Sequence, residues 1–122
     1  MKYLGLTIIM FSMVSCFQPQ RNCKDYETGI FVFEQEIDGK KHQTVFTRTE
    51  EYQIETYQGK TDTAKVRWIN DCEFVLERIN PKNRTEEKPI HIKILTTDEN
   101  SYTFEYNLVG NNQKQRGVAK KQ

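Results

Sequence analysis

From Gly29 onward the apolar residues of this chain recur at every second position, in short runs broken by turn residues. Phe31, Phe33 and Ile37 mark a run over 30–37, and Asp38-Gly39 reads as a tight hairpin turn behind it. The run over 41–48 holds Val45 and Phe46 and leaves its inward face open. Tyr52 and Ile54 share one face of 52–57, after which Gln58-Gly59-Lys60 turns the chain. Over 63–69, Ala64, Val66 and Trp68 alternate with Lys65 and Arg67. Asn70-Asp71 leads into 72–79, where Cys72, Phe74 and Leu76 oppose Glu73 and Glu77. The polar stretch 80–88 is the longest connection, a candidate for one helical turn or an open loop. Ile90, Ile92 and Ile94 then mark 89–96, and Tyr102, Phe104, Tyr106 and Leu108 mark 101–109. A weak last run covers 113–120. Period two prevails over period 3.6, so the pattern predicts an all-β, antiparallel domain over 29–120.

About eight short strands joined by tight turns predict an up-and-down meander, curled into a small barrel or a half-barrel of lipocalin-like kind. A two-layer sandwich is the alternative, although only one connection is long enough to change sheets easily. The expected inward set is Phe31, Phe33, Tyr52, Trp68, Phe74, Tyr102, Phe104 and Tyr106. Eight strands enclose a space that side chains of this bulk can fill, so a solid interior is expected ahead of an apolar cavity. The tyrosine hydroxyls need partners and could rim a mouth.

The pattern changes before residue 29. Lys2 gives a positive start, Tyr3 to Val14 form an apolar segment, and Ser15 is a small residue before Cys16. A dozen residues are too few for a bilayer span of roughly 20, so the segment reads as a cleaved export signal. Met13-Val14-Ser15-Cys16 resembles the lipobox of bacterial lipoproteins, with Met where Leu is preferred. That resemblance implies cleavage after residue 15, lipidation of Cys16 and a linker over 16–28. Each buried methylene contributes about 0.8 kcal/mol, and two or more acyl chains anchor stably. Phe17 stands where an inner-membrane retention signal would place Asp, which favours the outer membrane. No acidic cluster follows to suggest surface display, so a periplasm-facing protein is expected. An ordinary secretory signal with an incidental cysteine and a retained N-terminal anchor are the rivals.

Composition adds limits. Of the 18 basic residues only Lys2 falls within the signal, so the remainder balances the 17 acidic ones. Nucleic-acid binding rests on clustered Lys and Arg, and no nucleic-acid partner is expected. Lys114, Arg116, Lys120 and Lys121 make the C-terminal run locally basic. It could touch anionic lipid, but a solvated edge strand and tail is the simpler reading. With Cys16 assigned to lipid, Cys23 and Cys72 remain as an even pair in an oxidising compartment and are expected to be bridged. Two free thiols are the alternative. Closing a loop of about 50 residues is worth ~4 kcal/mol in the chain-entropy model. A metal site is a poorer reading, since only His42 and His91 accompany the cysteines, without ligand spacing. No cofactor is expected.

Candidate catalytic groups are few. After removal of Ser12 and Ser15 with the signal, Ser101 is the remaining serine, at a turn entry where serine commonly bonds locally. A triad would need His42 or His91 beside it with an acid. Glu50-Glu51 and Glu86-Glu87 lie in polar turns and are expected in solvent. His91 alternates with isoleucines and should face outwards. Asn83-Arg84-Thr85 fits a glycosylation sequon that bacterial export deprives of its usual meaning. No enzyme is expected.

The stretch from Lys60-Thr61-Asp62-Thr63 through Val66-Arg67-Trp68-Ile69-Asn70-Asp71-Cys72-Glu73-Phe74 resembles a group of short bacterial lipid-anchored proteins of unknown function. The likeness continues through Ile90 to Thr97 and Ser101 to Tyr106. Some similar chains bear the label DNA topoisomerase IV; that activity requires a far larger chain and a nucleic-acid channel. The expectation is a lipid-anchored envelope protein acting as a binding or interaction module. Its partner is another envelope protein or, alternatively, a small apolar ligand carried in a barrel cavity.

Overall fold

The computed structural model describes residues 21–122. The signal 1–15 and Cys16 lie outside the described residues. Eight strands follow one another: β1 (Gly29–Ile37), β2 (Lys40–Arg48), β3 (Tyr52–Tyr57), β4 (Lys60–Asn70), β5 (Glu73–Arg78), β6 (Ile90–Thr97), β7 (Ser101–Leu108) and β8 (Gln115–Lys121). Each pairs antiparallel with the next, and β8 returns to β1, so the meander closes into a barrel in sequence order. The half-barrel and the sandwich are thereby set aside. The polar stretch 80–88 contains one helical turn, α1 (Arg84–Glu87), capped by Asn83 Oδ1, which accepts the Glu86 N–H at 2.9 Å.

Two hairpin turns set the register of the first four strands. Asp38 and Gly39 have φ of 52° and 76°, and Gln58 and Gly59 have 48° and 75°. Two consecutive positive φ angles match the twist of the flanking strands. The second turn leaves Lys60 paired with Tyr57, so β4 begins three residues earlier than expected.

Directly paired residues share a face, and this parity decides what enters the barrel. Ala64, Val66 and Trp68 face inwards. Gln53 pairs with Ala64 and Glu55 with Asp62, so Gln53, Glu55 and Tyr57 face inwards too. Tyr52 and Ile54 consequently face solvent, 36% and 39% exposed. The expected inward position of Tyr52 is therefore wrong, and β3 is an inverted strand with its polar face inside. The same logic settles β2: Phe46 pairs with the buried Phe31, so Thr44 and Arg48 line the interior with it.

The barrel has two unlike ends. Residues 23–28, expected as part of a linker, supply a plug. A 3-10 turn over Cys23–Tyr26 lies across the end where β1 begins and β2 finishes, and Cys23 and Tyr26 are both buried. The expected Cys23–Cys72 disulfide is formed and fastens the plug to the β4–β5 turn. Bulges in β4 and β6 bend the sheet at this end. The Tyr26 hydroxyl donates to the Asp98 carbonyl at 2.5 Å, and its ring meets Tyr102 edge-on. Lys121, expected in a solvated tail, donates to the Asp25 carbonyl at 2.7 Å.

The other end, carrying both two-residue turns and α1, is open. There Lys40 to Gln43 and Glu34 to Ile37 pair only with each other, so the β1–β2 hairpin outruns the barrel wall. The Tyr57 hydroxyl reaches across to His42 Nδ1 at 2.8 Å. At the β1–β8 seam, Gly117 admits the rings of Phe33 and Phe104; a Cβ there would come within 2.4 Å of Phe33.

Candidate functional site

The interior is divided at the level of Arg48. Its side chain is 1% exposed, and such burial is costly unless every donor is met. Here they are met. Nε donates to the Glu27 carbonyl at 3.0 Å, Nη1 to Gln53 Oε1 at 3.1 Å and to the Tyr102 hydroxyl at 3.3 Å. Nη2 donates to the Tyr26 carbonyl and to the Tyr102 hydroxyl. The guanidinium lies between the rings of Phe31 and Phe74, 4.7 and 4.6 Å from their centroids, an arrangement favoured by the ring quadrupoles. Arg48 thus bolts the plug to the barrel floor, with its hydrogen-bonding capacity spent. Burial pushes the Tyr102 hydroxyl above its ordinary pKa of 10.0, and the Arg48 charge opposes this only in part.

Below Arg48 the barrel is packed with Phe31, Phe74, Ile94 and Tyr102, as the sequence leads one to expect. Above it, the expectation of a filled interior fails. A cavity of about 330 Å³ opens towards the mouth, walled by Phe33, Phe46, Leu76, Ile92, Phe104 and Tyr106. Gln35, Thr44, Gln53, Glu55 and Arg78 add polar groups. The space exists because the inverted β3 brings Gln53 and Glu55 inside where Tyr52 was expected, and because Thr44 is short. Gln53, 3% exposed, passes its amide N–H to Glu55 Oε1 at 2.8 Å. A hydrogen-bonded chain therefore runs from the buried guanidinium to a carboxylate on the cavity wall. Tyr106 donates to Gln115 Oε1 at 2.7 Å, and burial raises its pKa as well.

The sequence-nominated catalytic groups do not converge. Ser101 lies at the plugged end, where its carbonyl accepts the Asp98 N–H, whereas His42 stands at the open end. His91 faces outwards as expected and meets Glu73 Oε2 at 3.0 Å. Glu50 and Glu51 occupy the β2–β3 turn at the plugged end. Glu86 sits in α1 and pairs with Arg78 at 2.6 Å, while Asn83 serves as the helix cap. Among the described residues no group of three or more His, Cys, Asp or Glu could hold a metal ion. Arg48, Gln53 and Glu55 were missed by the sequence reading. A signal was present in the parity of the Gln58-Gly59 turn, which makes Gln53 and Glu55 share a face with Ala64 and Val66. Comparison of the chain with protein-family models, curated proteins and solved structures finds no match.

Proposed function

We propose that this chain is a non-enzymatic, lipid-anchored protein of the cell envelope and that its role is binding. Its site is the open half of the barrel, and its ligand is a small molecule with a largely apolar body. The observation that carries this reading is the cavity of about 330 Å³, within the roughly 300–1,000 Å³ typical of ligand sites. Its apolar walls and few convergent polar groups are the usual composition of such sites. A closed, plugged floor also fits a cup better than a channel.

The anchor and the outer-membrane, periplasm-facing location rest on residues 1–17. The fold gives them a consequence. Arg21 and Asn22 lie at the plugged end, where Asn22 N–H donates to Thr97 Oγ1 at 2.8 Å. Five residue steps separate Arg21 from Cys16, a reach of at most about 18 Å. Acylation at Cys16 therefore holds the plugged end towards the bilayer and turns the mouth away from it.

The test is intact mass of the protein purified from its native envelope under gentle conditions, before and after reduction. Loss of residues 1–15, added acyl chains, a two-proton mass gain on reduction and a retained small molecule are the expected result. A full-length, unacylated mass would overturn the anchor. An empty cup that also refuses every small apolar probe would overturn the binding role.

A further inference from the structure

The cup, given the binding role proposed above, has an aromatic half and an aliphatic half. Phe33 on β1, Phe46 on β2, and Phe104 and Tyr106 on β7 make the first. Leu76 on β5, with Ile90 and Ile92 on β6, makes the second. Strand β8 runs through the aromatic half, between β7 and β1, yet none of its side chains lines the cavity. The rings of its neighbours cover it instead. Phe33 and Phe104 meet there edge to face, with centroids 5.4 Å apart.

Gly117 makes this arrangement possible. It pairs with Phe104 in the β7–β8 ladder and so shares its inward face. It lies diagonally from Phe33, whose own partner is Ala119. Gly29, Gly39, Gly59 and Gly110 have positive φ, whereas Gly117 does not, so its backbone does not call for glycine. The neighbouring rings do. A Cβ at this position would stand 2.4 Å from Phe33 Cε2 and 2.9 Å from Phe104 Cζ. Ordinary carbon contacts are roughly 3.5–4.0 Å, and glycine inside a strand often marks such a close approach. Any side chain here therefore drives the Phe33 ring back by about 1 Å or more. Phe104 is buried, so the half-buried Phe33 is the ring that yields, and the cup is the side with room.

We infer that Gly117 determines which ligands the cup accepts, and that the class accepted is small molecules carrying an aromatic ring. With Gly117 in place, Phe33 and Phe104 lie back on the β8 backbone and leave an aromatic surface to the ligand. Edge-to-face and offset contacts between rings add to the gain from burial alone. The aliphatic half covers the ligand ring from the other side.

The test is calorimetric titration of the full-length protein with 2-phenylethanol and 2-(2-naphthyl)ethanol, which share a head and differ in ring size. The readout is the ratio of their affinities. Gly117→Ala is expected to shift that ratio about tenfold against the naphthyl probe, because the displaced Phe33 ring takes the space of the second ring. Phe33→Leu should shift it towards the naphthyl probe. Val118→Thr, on the outward face of the same strand, should leave it where it is. A general loss of structure weakens both probes alike, so the ratio separates a narrowed cup from a damaged fold. Either Gly117→Ala or Phe33→Leu decides alone if the other does not fold. A ratio that either variant leaves unmoved, or moves the opposite way, would overturn the role of Gly117 while leaving the cup in place. The saturated analogue 2-cyclohexylethanol should bind more weakly than 2-phenylethanol; tighter binding would overturn the aromatic class. Failure of every probe to bind the wild type would remove the cup itself.

Discussion

Arg48 is the residue on which the two halves of the molecule meet. Its guanidinium joins the plug carbonyls of Tyr26 and Glu27 to Gln53 and Tyr102 on the wall, so its removal strands several buried acceptors at once. Arg48→Met is expected to cost about 3 kcal/mol or more of stability, measured by urea unfolding. Arg48→Lys should recover little, because an ammonium cannot serve the same fork of partners or stack between two rings. Tyr102 contributes a pH dependence. Its folded pKa lies above the unfolded value of 10.0, so the folded state holds the proton more firmly. That contribution is complete below about pH 10 and fades as pH rises from 10 towards the folded value. Tyr102→Phe should therefore lose less stability between pH 9 and pH 11 than the wild type, followed by denaturant midpoints.

At the level of strands, β1 and β4 to β7 were legible because one face of each is plainly more apolar than the other, whereas β8 shows only a weak alternation. Phe31 and Phe33, Val66 and Trp68, Ile92 and Ile94, and Tyr102 and Phe104 all point where alternation sends them. β3 was misread because its alternation is genuine but inverted. Tyr52 and Ile54 form the apolar face, yet pairing with β4 turns that face to solvent and presents Gln53 and Glu55 to the interior. Local preference lost to register, since a one-residue slip would expose the whole apolar face of β4. The cup was hidden for the same reason, being the space that the polar strand leaves unfilled. Inversion predicts a reversal of the usual mutational pattern. Tyr52→Ser and Ile54→Ser should each change stability by no more than about 0.5 kcal/mol. Leu76→Ala, on an inward position of β5, should cost about 2 kcal/mol or more. Thermal or urea unfolding of the three variants checks both statements, and a large loss at Ile54 would return β3 to its expected orientation.

The whole molecule is a barrel closed at one end by its own N-terminal turn and open at the other. The Cys23–Cys72 disulfide spans 49 positions, and the parity of the cysteines made it legible; the plug it secures was not, because residues 23–28 look merely polar. Reduction should lower stability by about 4 kcal/mol in the chain-entropy model, seen as a drop in melting temperature with dithiothreitol. It should also loosen the floor, so that binding in the cup weakens along with stability. The central claim is that the open half of the barrel is the binding site. Methyl-resolved NMR titration with the neutral probe 2-phenylethanol addresses it most directly, because the probe reports on the cup independently of charge. Saturable shifts at the inward methyls of Leu76, Ile90 and Ile92, with the outward methyls of Ile30, Ile54 and Val118 unmoved, are the predicted result. Shifts confined to the outward methyls, or none that saturate, would contradict it.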